Sequence, residues 1–281
     1  SFYPIVVEFL FKHFRFWIFM GDAITYLLAI VFVMRTITES LPSLIDMDTS
    51  KKVDENTNDE SLLNVIPNLN PIESHEMGNI FKVLLSRPKL LWFMFFNMFY
   101  SATYVQSGFS LPLILNHVYT EKGPQIFGSL MSTNAITVLV LTIAMTAFSK
   151  KYSSISNIAI GGVAYVIGFG MIGVIQSLPL FWISTLIWTL GEIIISINFG
   201  VYVTSQTPQN FRARFNAITN ISFGIGAIMG TALVGLFIDH FGILKVWGLV
   251  AGLSSIGTLG MFILARKEIN KIGRASCRER V

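Results

Sequence analysis

Glu192 is the residue whose type and place in this chain most demand a chemical role. It lies near the middle of the first of two long apolar segments within Leu178–Gly242, which flank a short hydrophilic turn carrying Pro208, Arg212 and Arg214. Each segment is long enough to cross a bilayer, which takes about 20 apolar residues. A charge at that depth costs roughly 2.5–3.5 kcal/mol on insertion scales, so it needs a reason to stay. Trp188, Glu192, Ile195 and Phe199 recur at helical spacing and share one face. An aromatic ring one turn from a mid-membrane carboxylate suits a lipophilic cation, the ring supplying a cation–π contact and the acid a counter-charge. Burial favours the protonated form of a carboxylic acid, so such a group can also exchange a proton with its substrate. The competing reading is a structural glutamate, hydrogen-bonded to a neighbouring helix.

Two other apolar segments carry polar stripes. Asn97, Tyr100, Ser101, Tyr104 and Ser107 follow helical spacing, and so do Gln125, Ser129, Ser132 and Thr133. Such faces either line a water-filled path or join helices by hydrogen bonds. Tyr104 and Asn97 fit a path best, with Asn198 and Asn220 after them. Asp22, about two turns inside the edge of its segment, reads as structural. The pairs Gly226/Gly230 and Gly248/Gly252 allow close helix approach, for static packing or for rocking. Arg212 and Arg214 read as anchors at a membrane face, or as partners of an acid in one conformational state.

Enzymatic chemistry finds no support. His13, His75, His117 and His240 are scattered in loops without metal-ligand spacing. There is no phosphate-binding G-x-x-x-x-G-K-[ST] loop and no arguable Ser-His-Asp set. The expectation is therefore a non-enzymatic protein with no cofactor and no metal. The one cysteine, Cys277, lies in the tail Ile272–Val281, IGRASCRERV, which resembles an in-frame translation of a sequencing adapter. Residues 271–281 are set aside; the tail Ile272–Val281 alone takes out three arginines and one glutamate, so the net charge of +4 falls to +2. The basic balance is then no argument for nucleic acid.

The elements that must position these residues are helices in a membrane. The 281 residues are 53% hydrophobic and 13% charged, about half the charged share of a soluble domain. The apolar residues come in unbroken blocks, which means an all-α bundle and not a membrane barrel. Hydropathy places seven spans near 16–34, 90–115, 125–148, 156–176, 179–204, 217–238 and 244–265, with residues 1–11 as the end of another. Between the first two lies a hydrophilic linker, 39–89, holding nine of the sixteen acids. Its last part, Asn79–Lys89, reads either as a helix on the membrane surface or as the frayed start of the next span. With the linker inside, twelve lysines and arginines face the cytoplasm and four face out, which fixes the expected orientation. Trp17, Trp92, Trp182 and Trp247 mark span ends as interface anchors do.

One span, a long linker and six closely spaced spans form a layout that resembles the major facilitator superfamily from its sixth span onward. Phe14-Arg15-Phe16-Trp17-Ile18-Phe19, followed by Asp22 to Leu28, is similar to the entry of the sixth span in bacterial drug-efflux members. Gly191-Glu192, Pro208 and Arg212-Ala213-Arg214-Phe215 resemble their GE…P…RGR(Y/F) pattern, with Ala213 in place of glycine. Gly224, Gly226, Gly230, Gly235, Asp239 and Gly242 are similar to the glycine-rich eleventh span. The resemblance implies a twelve-span secondary transporter in a bacterial cytoplasmic membrane, monomeric at full length. It implies that 1–38 ends an N-terminal bundle whose remainder is missing here, and that 90–270 forms the C-terminal bundle. It further implies proton-coupled efflux of cationic, drug-like small molecules by alternating access. A sugar, metabolite or peptide carrier is the alternative, although no basic residue lies deep in a span to suit an anion. A membrane enzyme or receptor is a remote third.

Overall fold

The computed structural model describes residues 20, 24, 27, 28, 30–32 and 35, and residues 80–278 apart from 176, 209 and 210. The chain divides into two compact units, 1–67 and 68–281. In the first, the described positions are helical, and Leu27, Leu28 and Phe32 are exposed. Asp22 and most of the linker lie outside the described residues.

In the second unit the described elements are all helices joined by short turns, without strands among the described residues. Its helices are α1 (Ile80–Leu85), α2 (Pro88–Tyr104), α3 (Ser110–Tyr119), α4 (Gly123–Ser149), α5 (Ser154–Ile172), α6 (Leu178–Ser205), α7 (Arg212–Phe241) and α8 (Val246–Arg278). Five described stretches are long and apolar enough to cross a membrane: Pro88–Ser149, Ser154–Ile172, Leu178–Ser205, Arg212–Phe241 and Ile243–Glu268. The first is divided by 3-10 turns into α2, α3 and α4. Large apolar side chains face outward, as lipid allows: Leu139 and Ile143 on α4 and Ile228 on α7 are all exposed.

Local sequence accounts for the breaks. Proline stands in the first turn of α2, α4 and α6, where its missing N–H costs nothing. Ser153 caps α5 by accepting from the Ser156 N–H. α1 is a helix in its own right, separated from α2 at Ser86-Arg87 and Pro88, with Val83 and Leu84 buried and Leu85 exposed. The expected single span 90–115 is interrupted at Val105–Ser107. There Gln106 Nε2 donates to the Ala102 carbonyl, Ser107 Oγ to the Tyr104 carbonyl and Ser110 Oγ to Gln106 Oε1. Such side-chain bonds compete with the helical ladder, and Gly108 follows at once. The break falls directly after Tyr104.

Packing follows small residues and stacked rings. α5 and α6 form the most extensive pair; α2 packs against α7 and α8, and α4 leans on α6. A Cβ on Gly191 of α6 would stand 2.6 Å from the Gly161 carbonyl oxygen of α5, so only glycine permits this approach. On α7, a Cβ at Gly226 would stand 2.5 Å from the Met98 carbonyl oxygen, and one at Gly230 would stand 2.5 Å from the Ala102 Cα. These two glycines seat α7 on α2. Gly248 and Gly252 do not act this way: nothing lies within 4 Å of a Cβ at either, because α8 meets α2 through Gly257 and Gly260 instead. Phe169 stacks between Trp188 and Trp247, at 5.3 and 6.4 Å, and so ties α5 to α6 and α8.

Candidate functional site

Glu192 is held by two neighbouring helices. The Tyr104 hydroxyl, at the last residue of α2, donates to Glu192 Oε1 at 2.8 Å. The Asn134 amide, midway along α4, donates to Oε2 at 2.8 Å and to Thr189 Oγ1 at 3.0 Å. Thr189 in turn donates to the Thr185 carbonyl of its own helix. Each carboxylate oxygen thus has one neutral donor from a different helix, and an ionised acid makes both bonds charge-assisted.

The acid faces a cavity of about 140 Å³. Asn97, Tyr100 and Tyr104 line it from α2, Tyr165 from α5, and Phe223 from α7. α6 adds Ile195 and Ser196 beside Glu192. Among the described residues, no lysine or arginine lines it. The rings of Tyr104 and Tyr165 lie 6.4 Å apart with planes 16° from parallel, and Tyr165 meets Tyr100 edge-on. The Tyr100 hydroxyl points away to Thr258 Oγ1, at 3.4 Å. The arrangement offers one acid and aromatic surface within an otherwise uncharged lining, chemistry that suits a compact cation.

The structure distributes the candidate residues differently from a helical wheel. Asn97, Tyr104, Glu192 and Ile195 share the cavity. Trp188 is absent from its lining; the indole is 1% exposed, stacked on Phe169 and edge-on to Tyr104. The aromatic surface next to the acid therefore comes from tyrosines. Phe199 packs on Phe93. Asn198 belongs to a separate buried cluster, donating to Ser149 Oγ at 3.0 Å and accepting from Asn157 Nδ2 at 3.0 Å. It fastens the end of α4 to α5 and α6. Ser129, Ser132 and Thr133 donate to carbonyls of their own helix, and Asn220 does the same. Pro208 is buried, and its carbonyl accepts from the Phe211 N–H. Arg214 lies over the Phe211 ring at 5.6 Å, and Arg212 opens α7. Nearby, Arg87 Nη1 donates to the Gln206 carbonyl at 2.8 Å, joining the start of α2 to the end of α6.

Sequence reasoning missed Asn134, Tyr165 and Phe223. The signal for the first two was depth alone: Asn134 and Tyr165 are polar groups near the middle of apolar helices, as Glu192 is. Phe223 gave no signal among the many apolar residues of α7.

The family model of the Major Facilitator Superfamily matches residues 1–231. Two proteins of Bacillus subtilis (strain 168) are similar. YqjV, described as an uncharacterized MFS-type transporter, is 25% identical over 59% of this chain and 39% of its own length. YttB, described in the same words, is 24% identical over 52% of this chain and 38% of its own length. The chain spans about two fifths of the length of these curated relatives. With most of its length matched by the family model and an all-helical bundle of membrane-crossing length, the chain belongs to the Major Facilitator Superfamily.

Proposed function

We propose that the protein containing this chain is a secondary transporter that exports drug-like organic cations in exchange for protons, by alternating access. This chain supplies one wall of the midplane site, and the remainder of a twelve-span fold supplies the other. The observation that carries the reading is Glu192 itself: a membrane-depth carboxylate, held by Tyr104 and Asn134, facing a cavity with no basic residue. A cation and a proton would compete for the same oxygens, which is the requirement for exchange. Each carboxylate oxygen keeps a free acceptor site beside the bond from α2 or α4, so an occupant can join those bonds at the oxygens that link the two helices to α6. Asn97 and Tyr104 would face the cargo. Pro208, Arg212 and Arg214 would hold the turn at the cytoplasmic face, and Gly226 and Gly230 would keep α7 on α2. Placing that turn inside follows the bias of basic residues.

Full-length protein in inverted membrane vesicles provides the test. Wild type should take up a radiolabelled, drug-like protonated amine when a proton gradient is imposed. Glu192→Gln should lose that uptake while inserting at normal levels; full uptake by this variant would sink both the proton and the cation role.

A further inference from the structure

Asn97 and Tyr165 are polar groups in the cavity that the protein itself leaves unanswered. They are 3% and 4% exposed, and both line the same space as Glu192. The other hydroxyls of the tyrosine cluster are engaged, Tyr104 with Glu192 and Tyr100 with Thr258. Neither the Asn97 amide nor the Tyr165 hydroxyl makes a side-chain hydrogen bond to any described residue, and neither belongs to the fully enclosed unpaired polar atoms, so both stay open to the cavity. An amide carries two donors and an acceptor, and a phenol carries one donor and an acceptor. Covering such groups with a ligand that gives them no partner is costly, so a site for purely apolar cations would be better lined by leucine and phenylalanine at these positions. The part of the site that this chain forms measures about 140 Å³, room for the polar head of a ligand against these residues.

We propose that this cavity selects protonated amines over quaternary ammonium ions, and prefers amines with a hydroxyl or carbonyl next to the amine-bearing carbon. The proposal rests on reading Glu192 as the counter-charge of the cargo. Each half has its own cause. An amine N–H can donate to a carboxylate oxygen, whereas a fully alkylated nitrogen brings charge alone. The neighbouring hydroxyl or carbonyl then meets the Asn97 amide, which would otherwise stay unpaired on binding. A site built to pair with a polar group discriminates strongly against the analogue that lacks it.

Isothermal titration of the purified full-length protein with matched probes tests this. The probes are 2-phenylethylamine, 2-amino-1-phenylethanol and trimethyl(2-phenylethyl)ammonium. The hydroxylated amine should bind about tenfold more tightly than the parent amine, the worth of one good hydrogen bond. The quaternary ion should bind at least about tenfold more weakly than the parent. Asn97→Ala should bring the hydroxyl preference to within about twofold of none. Equal affinity of wild type for the hydroxylated and parent amines would overturn the proposal, as would a loss in Asn97→Ala by one common factor for every probe. Glu192→Gln separates the two levels. If it loses all the probes while wild type ignores the hydroxyl, only the selectivity proposal fails. If it binds all the probes like wild type, or if wild type binds none, the cation reading beneath it fails.

Discussion

Replacing Tyr104 with phenylalanine removes one oxygen and keeps the ring. The ring retains its place 6.4 Å from Tyr165 and edge-on to Trp188, so the change isolates the 2.8 Å bond to Glu192 Oε1. A hydrogen bond to a charged group contributes about 1.5–3 kcal/mol. A neutral bond between membrane helices averages about 0.6 kcal/mol in double-mutant cycles. In a Glu192→Gln background the acceptor becomes a neutral amide oxygen, and Tyr104→Phe should then cost only that smaller amount. The difference, about 1–2.4 kcal/mol, is the coupling energy expected between the two positions. The assay is reversible denaturation of the full-length protein in mixed micelles, with wild type, both single variants and the double variant. Additivity within about 0.5 kcal/mol would refute the coupling, because it would mean the hydroxyl does not serve a charged Glu192.

The glycine contacts and the asparagine cluster give two further tests. Gly226→Ala and Gly230→Ala should each destabilise by about 1–3 kcal/mol, since the new methyl meets the backbone of α2. Gly248→Ala and Gly252→Ala, where the space is open, should shift stability by no more than about 0.5 kcal/mol; thermal unfolding of the set decides, and equal losses at all four would refute the packing argument. Asn198→Ala should cost about 1–3 kcal/mol, because it removes the donor to Ser149 Oγ and the acceptor of Asn157 Nδ2. Amide hydrogen exchange should quicken over the last turn of α4 in that variant. Unchanged exchange there would mean that Asn198 does not fasten this helix end.

The helices were legible because membrane burial writes itself as length: a bilayer demands apolar blocks of about twenty residues, and soluble cores rarely do. Their interruptions were not, because they depend on local bonds. The turn after Tyr104 arises from Gln106, Ser107 and Ser110 finding partners within a few residues, and hydropathy does not register that. The glycine pairs show the same limit. Gly226/Gly230 and Gly248/Gly252 have identical spacing, yet only the first pair meets another backbone. Spacing states which residues share a face and leaves open whether anything approaches it.

The site divides along the same line. A helical wheel places Trp188 beside Glu192, one turn away, and the structure keeps that spacing. What the wheel omits is competition for the side chain: Phe169, sandwiched between Trp188 and Trp247, draws the indole into the α5–α6–α8 core. Asn134 is the converse case. It belongs to no polar stripe, since the stripe on its own helix is built of Ser129, Ser132 and Thr133, whose hydroxyls bond back to that helix. Short hydroxyl side chains satisfy themselves locally and so advertise a polar face without needing a partner. A lone mid-membrane amide signals more, because the partner it reaches here, Glu192, lies 58 residues away. Depth, not periodicity, was the property shared by Asn134, Tyr165 and Glu192. In an apolar bundle a polar atom at mid-depth is costly without a polar partner, which is either on a neighbouring helix at the same level, as Asn134 is for Glu192, or in what occupies the cavity; matching depths between helices is therefore the stronger sequence argument for who meets whom.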